Sequence, residues 1–392
     1  MDISLYVIRK RQKVKRILFF CIGLLAILGH CSCSGKNTVV STDWYSTYNM
    51  DSYSNKGYFY YDNGYIRYAD IESKQDVLIC DNPDCKHDRG NCPAHFDALF
   101  MYGIIYEDDK LYFVSEYGSE KLGQFFFYQS DVNGENRKKL GTIENVQFIH
   151  GIQYYDNYIL ISYNNTFDDN LKEMHQRQTG IYLYDRIENK GRILFSEKAT
   201  DAFINSMTVI NDTVYFTYFY IDLTPEQVME HAGDQNYLSN YLHSGLYSIQ
   251  LENGTAVKLV EGALSEGCIK GWGDNLFYVK NNKLYMYNVN SKEEKEIYNE
   301  GLMLAPTFGD ILPVFFKWVR ETDEGIYYQY VEGDSLKEIG RSDKYYYPIA
   351  VFPDVVYAWD FSDEGNGSKV FIYTKNFLKG EYTKFHTFDV ID

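Results

Sequence analysis

The amino-acid sequence predicts an all-β fold, a β-propeller of seven blades with six as the alternative count. Three observations predict it. A strand–turn–strand pattern recurs seven times along the chain. The composition is 17% aromatic, with 39 Tyr and 25 Phe against 7 Pro, and flat rings pack well on a pleated, half-buried surface. The copies follow one another at about 40 to 60 residues, the period of four-stranded blades with insertions.

The most regular element of the repeat is a strand that begins near a Gly. It reads Gly64-Tyr65-Ile66-Arg67-Tyr68-Ala69-Asp70, Gly180-Ile181-Tyr182-Leu183-Tyr184-Asp185 and Gly245-Leu246-Tyr247-Ser248-Ile249. It returns as Lys283 to Asn288, as Gly325 to Tyr330, and more loosely as Phe125 to Tyr128 and Val370 to Tyr373. An apolar-aromatic strand precedes it, as in Tyr58 to Tyr61, Leu111 to Val114, Tyr158 to Ile161, Val214 to Thr217 and Leu276 to Val279. Before those strands lie the turns Glu107-Asp108-Asp109-Lys110, Asp156-Asn157, Asn211-Asp212 and Gly273-Asp274-Asn275, whose residue types accept the positive φ of tight hairpins. Polar turns such as Glu72-Ser73-Lys74, Asn133-Gly134-Glu135 and Glu188-Asn189-Lys190 follow and lead into a more polar strand. A single sheet of this kind cannot bury both faces, so the copies have to stack and the ring has to close. A two-sheet sandwich would explain the alternation but not the period.

The chain starts with a different kind of segment. Arg9, Lys10, Arg11, Lys13, Lys15 and Arg16 precede an uncharged apolar run from Ile17 to Gly29. That run is shorter than the roughly 20 residues a membrane-spanning helix needs, so it reads as an export signal over residues 1–30. Leu28-Gly29-His30-Cys31-Ser32-Cys33 then resembles the cleavage region of bacterial lipoproteins. That resemblance implies lipid attachment at Cys31, with Cys33 as the alternative. The basic cluster ahead of the apolar run places the remainder outside the cytoplasm, and a diacylated cysteine would anchor it stably. Residues 31–55 read as the anchor and a polar tether, and residues 56–392 as the propeller.

Without residues 1–30 the chain holds 32 Lys and Arg against 54 Asp and Glu, a formal charge of −22. Such a surface repels phosphate backbones, so nucleic acid is excluded as a partner. Between the first two copies, in the loop at 80–95, lie Cys80, Cys85, His87 and Cys92, with His95 nearby. Three thiols and one imidazole can form the tetrahedral shell of a structural zinc ion. A disulfide between two of the three, with the third spare or paired with Cys268, is the second reading, and a plain structural loop the third. The repeat and the Cys, Pro-Asp-Cys-Lys-His and Cys signature together resemble Firmicutes envelope lipoproteins that carry a propeller domain of unknown function, similar to the propeller of low-density-lipoprotein-receptor-related proteins. The resemblance runs from about Tyr58 to the end and implies a propeller in an extracytoplasmic home, without an activity.

Insertions are expected at 164–179 and 221–244. The second contains Thr224-Pro225-Glu226-Gln227, a capped helix start. Tyr237, Tyr241, Trp272 and Trp318 lie near such loops or at strand ends and could stack on sugars, although a Trp in a propeller is ordinarily core. No serine-hydrolase, zinc-protease, phosphate-loop or calcium-loop motif occurs. The expected function is therefore a non-catalytic, membrane-attached propeller that binds a surface protein or glycan. The alternatives are a carbohydrate-active hydrolase or lyase using carboxylates in the central channel, and a zinc-dependent sensor or assembly factor.

Overall fold

The computed structural model describes residues 45–46, 52–117, 123–166, 175–252, 254–262, 269–281, 283–298, 303–304, 314–319, 325–332, 335–361 and 367–391. The expected leader, Cys31, Cys33, Cys268 and the side chain of Trp318 lie outside the described residues. No helix among the described residues is long and apolar enough to cross a membrane.

Antiparallel strands follow one another in chain order as four-stranded units. Unit one comprises Ser52–Tyr53, Gly57–Asp62, Tyr65–Asp70 and Gln75–Leu78, flanked by Tyr45–Ser46 on one side and by Asp389–Ile391 on the other. Unit two comprises Ala98–Glu107, Lys110–Tyr117, Phe125–Asp131 and Lys138–Ile143. Phe148–Tyr155, Tyr158–Thr166 and Gln176–Asp185 lead into the strand Lys190–Ile210, which continues into Thr213–Ile221, Leu242–Gln250 and Val257–Glu261. This long strand pairs through its first half with Gln176–Asp185 and through its second half with Thr213–Ile221. It therefore closes unit three and opens unit four. Lys270–Trp272, Asn275–Lys280, Lys283–Asn288 and Glu294–Tyr298 form the fifth unit. The sixth is Met303–Leu304, Val314–Val319, Gly325–Glu332 and Ser335–Ser342, and the last Tyr346–Val351, Val355–Asp360, Ser368–Tyr373 and His386–Thr387.

Every copy of the Gly-led sequence element is the third strand of a different unit. The predicted turns have the backbone that hairpins demand: Asp108 and Asp109 at φ 50° and 59°, and Asn211 and Asp212 at 49° and 57°. One regularity escaped the sequence reading. In units two to six the ladder between third and fourth strand skips one residue of the fourth, in turn Leu140, Leu194, Leu259, Ile297 and Ile339. Such bulges sharpen the twist that turns each outer strand away from the inner one. A basic residue one or two places ahead of that Leu or Ile, as in Lys139-Leu140 or Lys295-Glu296-Ile297, was the available signal.

The core is distributed between units. One apolar cluster joins Phe59 and Ile66 of unit one to Leu111 and Phe113 of unit two. Others join two to three through Phe127 and Ile161, three to four through Leu183 and Phe216, and four to five through Leu246 and Tyr278. Val279 meets Val331 between five and six, and Tyr328 meets Val356 between six and seven. The cluster of Tyr53, Tyr58, Val355, Tyr357 and Phe371 joins the last unit back to the first, so the ring is closed. This is the architecture of a β-propeller. The abundant tyrosines serve these junctions: a ring fills the apolar layer while its hydroxyl donates to a neighbouring unit's backbone. Tyr154 reaches Gly103 O at 2.6 Å, Tyr328 reaches Tyr346 O at 2.6 Å, and Tyr357 reaches Ser54 O at 2.8 Å.

At the closing junction Asp389–Ile391 adds in parallel to Gln75–Leu78. Arg67, whose Nε donates to Asp76 Oδ1 at 2.9 Å, also donates from Nη2 to Ile391 O at 3.0 Å. Lys369 of the last unit lies 4.6 Å and 4.5 Å from the ring centres of Tyr58 and Tyr60 in the first, a cation–π bridge across the seam.

Of the expected insertions, 221–244 contains two short helices, Pro225–Glu230 and Gln235–Ser239. The first has the predicted cap: Thr224 Oγ1 accepts from Gln227 N at 3.3 Å, and Gln227 Oε1 accepts from Thr224 N at 2.9 Å. The insertion at 164–179 is narrower than expected, because residues 164–166 and 176–179 pair within the sheet of unit three.

Candidate metal centre

The connection from unit one to unit two carries the thiols, and each part of it is held by hydrogen bonds. Cys80 lies two residues beyond the outer strand of unit one, which ends at Leu78. Asn82 turns the chain, accepting Asp84 N on its side chain at 2.9 Å and Cys85 N on its carbonyl at 3.1 Å. His87 takes the left-handed conformation at φ 53°, and its carbonyl accepts from Tyr65 Oη at 2.7 Å. Gly90, at φ 90°, lets the chain double back, so that Asp88 O accepts the N–H groups of Asn91 and Cys92 at 3.2 Å each. Ile66 N to Ala94 O at 2.9 Å and Phe96 N to Gly64 O at 2.8 Å fasten the returning segment to unit one.

The result brings Cys80, Cys85, His87 and Cys92 together. Their donor atoms all lie within 4.8 Å of one another, with His87 Nδ1 3.4 Å from Cys92 Sγ. A tetrahedral ion with metal–sulfur bonds of about 2.3 Å needs sulfurs about 3.8 Å apart. Contraction by an ångström or less suffices, so the four donors could hold a metal ion. All three thiols are unpaired. Cys92 is buried, and its burial pushes the thiol up to about 11. Cys85 is the opposite case: the His87 N–H directed at its sulfur holds the thiol below the ordinary range. Metal binding would release the Cys92 proton.

His95 is not one of the donors. Its ring packs edge-on against Tyr65 at 5.1 Å, and its Nδ1 accepts Gly90 N at 3.3 Å. A residue the sequence reading missed is Arg137, in the outer hairpin of unit two. It donates from Nη2 to Pro93 O and from Nε to Gly134 O at 3.0 Å, and its guanidinium lies 5.0 Å over Phe96. Its charge acts on the Cys92 sulfur, and would offset the residual negative charge that three thiolates leave around a divalent ion if one is bound. Nothing local in the sequence links Arg137 to a thiol 45 positions earlier.

Gly134 holds the same contact from the other side. It adopts φ 83°, and a Cβ there would collide with the Pro93 carbonyl. Gly134→Ala is expected to cost about 1–3 kcal/mol and to weaken metal binding, as read by thermal unfolding with and without added zinc.

A second polar group, also unread in the sequence, lies where the long strand passes from unit three to unit four. Asp201, at φ 47°, accepts from His175 Nδ1 at 2.9 Å and faces Arg177 Nη2 at 3.3 Å. Thr179 Oγ1 donates to Ala202 O at 2.7 Å and Asn164 Nδ2 to the same oxygen at 3.4 Å, which fixes this crossing. His150 occupies a bulge in the first strand of unit three, with its ring 4.5 Å from that of Phe203, and its Nε2 has no hydrogen-bond partner among the described residues. Burial, and then the Arg177 charge, push its pKa down to about 3. The unfolded chain takes up this proton near pH 6.5 and the folded chain does not. The contribution of His150 is thus complete above pH 6.5 and is lost as pH falls toward 3, by about 1.4 kcal/mol per pH unit at most. His150→Phe is expected to flatten the fall of melting temperature between pH 6.5 and 4.5 relative to the parent; an unchanged slope would count against it.

No family model matches the chain, and no curated protein does. Solved structures do. A puromycin hydrolase complexed with PGG superposes with a TM-score of 0.51 at 8% identity, over 86% of this chain and 52% of that one. A puromycin-hydrolyzing peptidase of Mycobacterium tuberculosis gives 0.48 at 10%, over 90% and 54%. The β-propeller domain of the Trilobed protease from Pyrococcus furiosus gives 0.47 at 12%, over 82% and 90%. The chain thus spans about half the length of the two puromycin-cleaving proteins, and likeness at such identities concerns the fold alone.

Proposed function

We propose that this chain is a seven-bladed, lipid-anchored extracytoplasmic protein whose propeller binds a surface protein or glycan without catalysis, and that its thiol cluster holds a structural zinc ion. The observation that carries the non-catalytic reading is the state of the buried acids. Among the described residues the buried carboxylates are Asp76 and Glu116. Asp76 is neutralised by Arg67. Glu116 stands alone, accepts Gly123 N at 3.0 Å and has its pKa raised by burial. A glycosidase needs two carboxyls about 5 to 10 Å apart in one site, and Asp201, which faces His175 and Arg177, supplies no second one. For zinc, the support is a donor set of three sulfurs and one nitrogen that leaves no position for water.

Immobilised full chain in detergent, exposed to a solubilised cell envelope, is expected to retain a defined protein or polysaccharide and to release it chemically unchanged. Turnover of a bound polysaccharide that disappears in Glu116→Gln would overturn the reading in favour of a hydrolase or lyase.

A further inference from the structure

The insertion 221–244 leaves unit four between its second and third strands, and it carries Asp222, Glu226, Glu230 and Asp234 without a single Lys or Arg. Its base continues the sheet: Tyr220 pairs with His243, and Asp222 N donates to Tyr241 O at 2.9 Å. Residues directly opposite in a ladder project to the same side, and so do residues two apart, so Tyr220, Asp222, Tyr241 and His243 share one face. Printed by contact after contact, that face runs on to the short helices. His243 Nε2 lies 3.7 Å from Asp222 Oδ2, the Tyr237 ring lies 5.1 Å from that of Tyr241, and His231 stacks on Tyr237 at 3.7 Å. The bond to the Tyr241 hydroxyl chiefly, with the Glu230 charge adding to it, raises the Tyr237 phenol, so that carboxylate borders the same rings. The surface is open: the Asp222 side chain is 73% exposed, Glu230 and Asp234 are exposed, and none of these rings is buried. Lys258 of the adjoining outer strand is already bound to Glu261 at 2.6 Å.

We propose that this surface docks a basic segment of another protein, whose Lys and Arg side chains meet Asp222, Glu230 and the hydroxyls of Tyr237 and Tyr241. The ring faces are already in use: Tyr237 packs against His231 and Tyr241, and Tyr220 stacks on Tyr218 at 5.7 Å and on His243 at 5.2 Å. A sugar ring needs such a face open, whereas a cation needs carboxylate and hydroxyl oxygens at the rim. The stems of Lys and Arg pack on the ring edges while their heads reach those oxygens. A surface of one sign also speeds the encounter with a partner of the other. The inference rests on the non-catalytic binding reading and chooses its protein arm over its glycan arm.

Titration calorimetry of the full chain in detergent, at physiological salt, tests it with octalysine, octaglutamate and cellohexaose as probes. Octalysine is expected to bind at least tenfold more tightly than either of the others. Asp222→Asn combined with Glu230→Gln is expected to weaken that binding at least fivefold, and to keep the parent melting temperature because both side chains are exposed. Asp108→Asn combined with Asp109→Asn removes the same charge from a hairpin of unit two, where Asn accepts the positive φ. This control pair is expected to change the affinity less than twofold. Octalysine that does not bind, or that the two pairs weaken equally, overturns the proposal, since equal weakening reports only the general charge of the chain. Cellohexaose binding that Tyr237→Ala abolishes overturns it in favour of a glycan. If octalysine ignores both pairs while envelope capture still returns a protein, the site assignment fails and the broader reading stands; turnover of a captured polysaccharide would instead remove the broader reading.

Discussion

Zinc analysis of the purified chain is expected to return one ion per molecule, and Cys92→Ser to return none. The Cys92 sulfur is buried, whereas Cys80 and Cys85 are partly exposed. Without it the remaining three donors bind far more weakly, and a polar hydroxyl replaces the thiol in an apolar cluster that includes Ala94, Phe96 and Phe113. If zinc saturates the site at about a thousand times its Kd, its removal forfeits about 4 kcal/mol, by mass action alone. Chelation of the parent should lower the melting temperature to near that of Cys92→Ser, and readded zinc should restore the parent only. Thiol titration after denaturation separates the readings: three reactive loop thiols accompany a metal site, and one accompanies a disulfide. Finding one reactive thiol and no zinc would establish the second reading of the sequence. If zinc instead changed partner capture without changing stability, the sensor reading would replace the structural one.

The second large effect is expected at the seam of the ring. Arg67 and Asp76 have side chains 9% and 6% exposed, and Tyr60 Oη donates to Asp76 Oδ2 at 2.5 Å. Burial and the adjacent carboxylate both raise the Tyr60 phenol. Arg67→Met leaves Asp76 buried without its cation, which typically costs about 3–5 kcal/mol, and it also releases Ile391 O. The fall in melting temperature should be accompanied by faster hydrogen exchange in Asp389–Ile391 and Gln75–Leu78. Pairing Arg67→Met with Asp76→Leu should recover part of the loss, because an apolar pair carries no buried charge. A double variant less stable than both single ones would refute this account of the pair.

Much of this fold was legible because the repeat is local. A Gly-led aromatic strand, a turn rich in Asn and Asp, and a polar strand each write their signal within about ten residues. The capped helix at Thr224 was readable for the same reason. The thiol cluster was readable because its donors fall within 13 positions. Features assembled across long separations were not: Arg137 against Pro93, the Arg67 bond to Ile391, and the meeting of His150, His175 and Asp201. The first strands of several units also escaped, since Ser52–Tyr53, Lys270–Trp272 and Met303–Leu304 are too short for an alternation to show. The bulged Leu or Ile of the fourth strands lay in plain view, but a one-residue skip changes the ladder and leaves composition untouched.

The placement of apolar clusters between units has a consequence for how the protein is made. Unit one cannot cover Tyr53, Tyr58, Ala69 and Ile71 until Val355, Tyr357 and Phe371 exist. Some 300 residues separate the two sides, and at translation rates of about 5–20 residues per second the gap is roughly 15 to 60 s. For that time the earliest finished sheet presents a wet aromatic face. Partial rings of this kind are prone to pair with one another, so the interval between the first strand and the last is the period in which the nascent chain most needs shielding.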